Sequence, residues 1–344
     1  MSDSSDSIPV LVTVHLDDAI LETFREVSDR IEILYYPVKQ AGEVPDELWS
    51  RVNVLYTLNL VPEPAQAPKL RWIHAHSAGI EHLLDQSIFQ TEGVLLTTSS
   101  GIHATNMTEY VFMMMLAFGH RLLSMIEYKE SATWPTENRF RTFMPLQLRG
   151  STVGIVGYGS IGREIAHMAH AFGMEVLAVK RDVRHPADPD GYNLPGAGDP
   201  EGIYFHRLYP PEALISMVRE CDFVVLTVPL TESTRGLFSA DVFKAMKSTA
   251  YLINVGRGGV VDEDAMLHAL QTGEIAGAAT DVFEAEPLPA DSPLWKLPNL
   301  IISPHIAGNT SDYNDKAAAL FIENLNRYLA RKDLLNLVDR TRGY

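Results

Sequence analysis

The chain has 344 residues, which at about 150 residues per domain predicts two domains rather than one small module. Hydrophobic residues make up 46% and charged residues 21% of it, a globular composition that excludes a disordered or fibrous chain. Lys plus Arg number 28 against 44 Asp plus Glu, a net charge of −16, so the long-range field repels phosphate backbones and anionic headgroups; neither nucleic acid nor membrane is an expected partner.

Cys221 is the only cysteine. That excludes an intrachain disulfide and a Cys-rich zinc site, and it fits a reducing compartment, the cytoplasm. The Ser/Asp-rich start, Met1 to Ser7, has neither the basic nor the apolar region of a secretory leader. The most apolar stretch, Tyr110 to Phe118, is far shorter than the roughly 20 residues of a membrane-spanning helix.

In chain order, Ile8 to Val14 reads as a strand, Asp17 to Arg30 as a helix with Ala19, Ile20, Phe24 and Val27 on one face, and Ile31 to Tyr35 as a strand. Strands follow at Val52 to Leu58, Leu70 to Ala75 and, after a helical stretch around Glu81 to Leu84, Val94 to Thr97. Ala104 to Ile126 reads as one long helix, and Lys129 to Arg149 shows no strand. A new β-α-β unit begins near residue 150 with the apolar strand Thr152 to Val156, the helix Ile161 to Phe172 and the strand Glu175 to Val179. Eight Pro and Gly residues between Asp182 and Tyr209 predict an irregular surface loop. Beyond it come a helix over Pro211 to Glu220, strands at Phe223 to Val228, Tyr251 to Val255, Gly277 to Thr280 and Leu300 to Ser303, helices at Ala240 to Met246 and Glu263 to Gln271, and a closing amphipathic helix from about Asp312 to Leu329. This alternation predicts parallel sheets: an α/β protein of two doubly wound domains, Rossmann-like and flavodoxin-like.

The fingerprint Gly157-Tyr158-Gly159-Ser160-Ile161-Gly162 falls between a buried strand and a helix, the context in which G-x-G-x-x-G carries weight. The glycines give a tight turn, close backbone approach and close helix packing, and the helix start offers N–H groups to a pyrophosphate. The residues closing the next strand select the dinucleotide, because an acidic side chain accepts from a ribose 2′-hydroxyl and a basic one suits a 2′-phosphate. That tip is Lys180-Arg181, with Arg184 nearby, which favours NADP(H); Asp182, about 20 residues past the last glycine, keeps NAD(H) as the alternative.

With these residues in view, the chain resembles the D-isomer-specific 2-hydroxyacid dehydrogenase family along nearly its whole length. The matching segments are His76-Ser77-Ala78-Gly79-Ile80-Glu81-His82, Thr108-Glu109, Leu148-Arg149-Gly150, Thr227-Val228-Pro229-Leu230-Thr231, Asn254-Val255-Gly256-Arg257-Gly258, Asp281-Val282-Phe283-Glu284-Ala285-Glu286-Pro287 and Ser303-Pro304-His305-Ile306-Ala307-Gly308. The resemblance implies a discontinuous substrate domain, residues 1–103 and 306–344, with a dinucleotide-binding domain inserted at residues 104–305. It also implies a homodimer, formed through the cofactor domain and its long helix. Within the superfamily, formate dehydrogenases carry asparagine where His103 stands, which disfavours formate, and the short end of the chain implies no appended regulatory domain.

The resemblance places catalysis on Arg257, Glu286 and His305. Reducing a 2-keto acid builds negative charge on the carbonyl oxygen, and an imidazole suits delivery of a proton there. Glu286 would accept from the other ring nitrogen and favour the imidazolium. Arg257 offers a planar fork of donors to the substrate carboxylate, and Ala78 and Gly79 would add backbone N–H groups. Thr108, Pro229, Val255, Asp281 and Gly308 match positions flanking the nicotinamide. Leu58 to Leu60 would line the side-chain pocket, with Trp134 contributed by a neighbouring subunit.

His74, His76 and His82 could evoke a metal, but no fourth ligand is evident and hydride transfer needs none. The expectation is an NAD(P)-dependent 2-keto acid reductase without a metal. The alternative is a dinucleotide-sensing corepressor of the same fold.

Overall fold

The computed structural model describes residues 7–81, 83–188 and 191–340. In chain order the elements begin with β1 (Ile8–Val12), α1 (Asp18–Arg25), β2 (Ile31–Tyr35), α2 (Asp46–Trp49), β3 (Val54–Thr57), β4 (Trp72–Ala75) and β5 (Leu95–Thr98). Next come α3 (Ala104–Gly119), α4 (Leu122–Glu130), α5 (Arg139–Thr142), β6 (Thr152–Val156), α6 (Ser160–Phe172), β7 (Glu175–Val179) and β8 (Arg207–Tyr209). The last part holds α7 (Leu214–Val218), β9 (Phe223–Leu226), α8 (Ala240–Ala245), β10 (Tyr251–Asn254), α9 (Glu263–Thr272), β11 (Gly277–Thr280), β12 (Leu300–Ile302) and α10 (Tyr313–Leu329).

These elements divide into two compact units. The first comprises residues 7–102, 191–192 and 310–340, and the second residues 103–188 and 193–309. The chain therefore returns to the first unit at residue 310, and two residues of the Pro/Gly-rich insert cluster with that unit as well.

The first unit is a parallel sheet in the order β2-β1-β3-β4-β5. Its strands read as near-continuous apolar runs because both faces are covered. Alternate side chains divide between the faces. Val10, Val54, Tyr56 and Trp72 meet Phe24 of α1 and Phe321 of α10, while Leu11, Leu55 and Ile73 meet Trp49, Leu83, Ile88 and Phe89.

The second unit is a seven-stranded parallel sheet in the order β12-β11-β10-β9-β6-β7-β8. One face carries Leu214, Val242, Phe243 and Met266 of α7, α8 and α9; the other carries Val111, Met115, Ile165 and Ala169 of α3 and α6. From β6 the chain winds outward through β7 to β8, then returns to β9 on the other side of β6. That reversal between β6 and β9 is the topological switch point at which such sheets bind ligands. Gly162 makes the crossing of α6 over β6 close enough, since a Cβ there would lie 2.0 Å from the Gly157 carbonyl oxygen.

Several expected boundaries shift for local reasons. The first helix ends at Arg25, five residues early by sequence, because the chain turns through Ser28, whose carbonyl accepts from Ile31 N–H. The long helix expected over Ala104 to Ile126 is two helices. Arg121 adopts a left-handed backbone between α3 and α4, and the freed Gly119 carbonyl accepts from Leu146 N–H at 2.9 Å. The stretch around Glu81 to Leu84 is turn rather than helix, with His82 outside the described residues. The loop expected to run to Tyr209 ends in β8, which pairs with β7 through Leu177 and Arg207.

Candidate active site

Most residues expected to carry chemistry in the second unit lie in the loops that follow its strands or in the N-terminal halves of α3 and α6. At the switch point the Thr227 hydroxyl donates to the Gly157 carbonyl at 2.8 Å and so fixes the glycine turn. Gly159 precedes α6, whose first residues Ser160 and Ile161 are half-buried, and a Cβ added at Gly159 would meet open space. Backbone N–H groups at the start of a helix have no intrahelical partner, so this turn can receive a pyrophosphate. The Thr108 hydroxyl is buried without a hydrogen-bond partner among the described residues, a polar atom that a nicotinamide carboxamide would satisfy. Pro229 follows β9, its carbonyl accepting from Thr234, and Val255 is buried after β10. Gly308 lies 3.7 Å, measured from an ideal Cβ, from the His103 ring. These residues fit a dinucleotide.

The three residues expected to be catalytic come from three adjacent loops. After β10, the buried Asn254 side chain accepts from Gly256 N–H and donates to the Arg257 carbonyl at 3.2 Å, shaping the turn that presents Arg257. Gly258 lets this turn pack directly on the loop after β11, since a Cβ there would stand 1.9 Å from the Phe283 carbonyl carbon. Phe283 N–H in turn donates to Glu286 Oε1 at 2.9 Å. The other carboxylate oxygen, Oε2, lies 2.7 Å from His305 Nδ1. Because a carboxylate only accepts, Nδ1 carries the proton and Nε2 is the ring nitrogen left for substrate.

His305 holds a left-handed backbone at φ 54°, unusual for a residue with a Cβ. Asp281, almost fully buried, is what holds it. Its carbonyl accepts from His305 N–H at 2.9 Å, its Oδ1 accepts from Ser303 Oγ at 2.5 Å and Ile306 N–H at 2.9 Å, and its Oδ2 accepts from Ala307 N–H at 2.8 Å. The Ser303 hydroxyl proton is committed to Asp281, so Tyr110 of α3 donates to Ser303 Oγ at 2.6 Å. Burial pushes the Tyr110 phenol up to about 12, which keeps it a donor. Asn106 adds a bond to the Ala307 carbonyl at 3.1 Å. The sequence motifs place Asp281 beside the nicotinamide; they do not reveal that its carboxylate pins the histidine turn. The only signal for Tyr110, Ser303 and Asn106 is a polar residue within an otherwise apolar helix or strand end.

Electrostatically, burial works to raise the Glu286 carboxyl, but the hydrogen bonds from His305 and Phe283 and the charges of His305 and Arg257 outweigh it and hold it below the ordinary range. The half-exposed pair thus keeps Glu286 ionised.

At the tip expected to select the dinucleotide, Lys180 Nζ donates to the carbonyls of His185, Pro186 and Ala187. Arg181 is exposed, and Asp182 bonds within its own turn. The insert is anchored by the fingerprint itself. Arg163, fully buried on α6, stacks over Tyr158 at 4.9 Å and donates to the carbonyls of Asp199 and Pro186. Tyr158 donates to Asp199 Oδ2 at 2.6 Å, and the buried Asp199 also accepts from Ile203 and Tyr204 N–H. An arginine on the inner face of an apolar helix, followed by a long insert, is a signal for this that sequence reasoning missed.

In the first unit, Ala78 and Gly79 lie half-buried in a bend after β4, where the Ser77 hydroxyl donates to the Gly79 carbonyl at 2.8 Å. Leu58 is exposed and Leu60 buried. The imidazoles of His74 and His76 are bonded to protein groups: His74 to Thr97 at 2.7 Å and Ser99 at 3.3 Å, His76 to Tyr56 at 2.6 Å. Burial, with His76 beside it, lowers His74 to about 3, so it stays neutral. No group of three His, Cys, Asp or Glu residues suited to a metal occurs among the described residues. Cys221 is buried, its thiol pushed up to about 12 by burial. No helix among the described residues is long and apolar enough to cross a membrane. A groove of about 790 Å³ contains none of Arg257, Glu286 and His305; Met113, Leu116, Leu122 and Met125 of α3 and α4 line it together with Met168 and Phe172 of α6.

Residues 112–307 match the family model described as D-isomer specific 2-hydroxyacid dehydrogenase, NAD binding domain. The chain is 36% identical over 259 residues to glyoxylate/hydroxypyruvate reductase B of Escherichia fergusonii, covering 75% of this chain and 74% of that protein. It is 32% identical over 274 residues to a glyoxylate reductase of Korarchaeum cryptofilum, covering 80% and 77%. Its fold is similar to a crystal structure of an NADPH-dependent glyoxylate/hydroxypyruvate reductase from Sinorhizobium meliloti in complex with NADP and sulfate, at TM-score 0.77 and 26% identity, covering 98% of this chain and 100% of the other.

The Glu286 geometry sets a pH signature. A carboxyl held below its unfolded value, about 4.3 for glutamate, adds stability above that value and loses it as pH falls through the folded one. Denaturation of wild type and Glu286→Gln across pH should show a wild-type advantage at neutral pH that shrinks steadily below about pH 4.3; a difference independent of pH would mean the bond to His305 is not made in solution.

Proposed function

The chain belongs to the D-isomer-specific 2-hydroxyacid dehydrogenase family, and on that premise we propose that it is a glyoxylate or hydroxypyruvate reductase, using NADPH in preference to NADH to reduce a small 2-keto acid. The family membership makes it an NAD(P)-dependent oxidoreductase. The observation that carries the mechanism is the Arg257, Glu286 and His305 cluster, joined by the 2.7 Å bond between Glu286 Oε2 and His305 Nδ1. The reduced nicotinamide, when bound, supplies the hydride.

Arg257 binds the substrate carboxylate and turns the keto carbon toward the cofactor. As charge develops on the keto oxygen, His305 delivers the proton from Nε2. Glu286 fixes the ring and its tautomer through the bond to Nδ1. In the reverse direction the same nitrogen accepts the hydroxyl proton. Gly157, Gly159, Ser160, Ile161 and Gly162 receive the pyrophosphate, with Thr108, Pro229, Val255, Asp281 and Gly308 around the nicotinamide. The basic tip at Lys180, Arg181 and Arg184 supports the NADPH preference, as do the NADPH-dependent relatives.

Oxidation of NADPH and of NADH, followed by loss of nicotinamide absorbance, tests the reading against glyoxylate, hydroxypyruvate, pyruvate and bulkier 2-keto acids. We expect turnover with the small acids and higher kcat/KM with NADPH. Arg257→Gln should raise KM for the keto acid by roughly tenfold or more, as loss of a charge-assisted bond predicts, with a smaller fall in kcat. Cofactor binding without turnover of any acid would support a sensor instead.

The same reading includes a homodimer through α3 and α4. Met113, Leu122, Met125 and Ile126 are 52%, 44%, 45% and 42% exposed, and with Trp134 and Phe140 beyond them they form an apolar surface of the kind found at subunit interfaces. Light scattering should give a dimer for wild type and a monomer for Met113→Glu with Met125→Glu; a monomeric wild type would refute it.

A further inference from the structure

The turn that leaves β7 is built in a way that bears on how the cofactor is chosen. Asp182 stands where an acidic side chain would accept from a ribose 2′-hydroxyl, yet its carboxylate is committed locally. Oδ1 accepts from Arg184 N–H at 3.1 Å, and Oδ2 lies 2.7 Å from His185 Nδ1. This is an Asx-type turn, which folds the carboxylate back along its own chain. Alone it would be weak, because Asp182 and His185 are 52% and 79% exposed and solvent screens an exposed contact of this kind.

What fixes the turn is its two ends. On the strand side, Lys180 N–H donates to the Tyr209 carbonyl of β8 at 3.0 Å. On the insert side, the Lys180 ammonium reaches across the turn to the carbonyls of His185, Pro186 and Ala187. The Pro186 carbonyl is gripped a second time by Arg163, which is fully buried. An ammonium has three N–H donors and no acceptor, so these three carbonyls fill its capacity; meeting a phosphate would require it to give up at least one of them. Burial, followed by the Arg163 charge, lowers the Lys180 amine, in keeping with a group committed to protein contacts.

Resting on the NADPH reading above, we propose that Lys180 is a positioning residue for cofactor selection and not a phosphate ligand: by clasping the insert at residues 185–187 it holds Asp182 folded into its own turn, away from a ribose 2′-hydroxyl, and leaves the 2′-phosphate to Arg181 and Arg184. Discrimination against NADH then comes from withholding an acceptor as well as from supplying positive charge.

The test is kcat/KM with NADPH and NADH, at saturating keto acid, for wild type, Lys180→Met, Lys180→Arg, Asp182→Asn and the double variant Lys180→Met with Asp182→Asn. Lys180→Met should lower the NADPH value by about tenfold through KM, with kcat retained, and raise the NADH value severalfold as Asp182 is released, changes on the scale of one hydrogen bond to a charged group. Lys180→Arg should largely restore the wild-type ratio. Asp182→Asn should leave NADH use unchanged in the wild-type chain and abolish the gain in the Lys180→Met background. Limited proteolysis within residues 182–206 should be faster in Lys180→Met, a readout that does not depend on turnover. A direct phosphate ligand would instead lose NADPH with no gain for NADH and no change in cleavage, and that result overturns the proposal. So does a fall in NADH use on Asp182→Asn alone. Should Lys180→Met fail to fold, His185→Ala frees one Asp182 oxygen and must raise NADH use; no rise overturns the proposal. A wild type that prefers NADH removes the NADPH reading itself, whereas an NADPH-preferring wild type with no NADH gain in the variants removes only this inference.

Discussion

A single buried carboxylate organises the chemistry of this protein. Asp281 binds Ser303, Ile306 and Ala307 through its side chain and His305 through its carbonyl. Burying an ion is costly unless its acceptors are filled, and here backbone N–H groups and one hydroxyl fill them. The return is a histidine held in a left-handed conformation that an unsupported residue rarely adopts. Its Nδ1 is thereby placed on Glu286, and its Nε2 is the ring nitrogen outside that bond. Without that pin, the pairing of His305 with Glu286 would depend on two exposed side chains meeting by chance.

The fold delivers this arrangement through adjacency. β10, β11 and β12 are neighbours in one parallel sheet, so the loops bearing Arg257, Glu286 and His305 leave the same edge side by side. Gly258 lets the first of these loops touch the second, and Glu286 ties the second to the third. The glycine turn after β6 stands at the reversal of strand order. The proposed cofactor turn and the proposed proton donor thus stand on one sheet, whose strand ends fix where their loops begin.

Much of this is legible in the chain itself. Continuous apolar runs alternating with helical periodicity give the parallel sheets, and the glycine fingerprint lies between a strand and a helix as its spacing predicts. That Arg257, Glu286 and His305 come from neighbouring loops is readable because their motifs follow predicted strands. What sequence patterns do not carry is the second tier of contacts. Tyr110 looks like one more apolar helix residue, and Asp281 like a cofactor contact, because the bonds they make run to residues distant in sequence. Lys180 illustrates the same limit. A basic residue at the strand tip reads as a phosphate ligand, but three carbonyls that follow it in a Pro-rich insert compete for its ammonium, and a propensity argument gives no position for those carbonyls. The break at Arg121 and the strand β8 were likewise hidden, since each depends on tertiary partners, Leu146 in one case and β7 in the other.

The central claim is that His305, oriented by Glu286, delivers the proton that accompanies hydride transfer. A single-turnover experiment addresses it most directly: NADPH is bound first, its affinity is measured by the quenching of protein fluorescence, and glyoxylate is then mixed in while nicotinamide absorbance is followed for wild type and His305→Gln. The account predicts NADPH affinity within about twofold of wild type and hydride transfer slowed by roughly 10² to 10⁴, the range for loss of a positioned acid. Transfer at the wild-type rate in the variant would contradict it, because another group would then be supplying the proton.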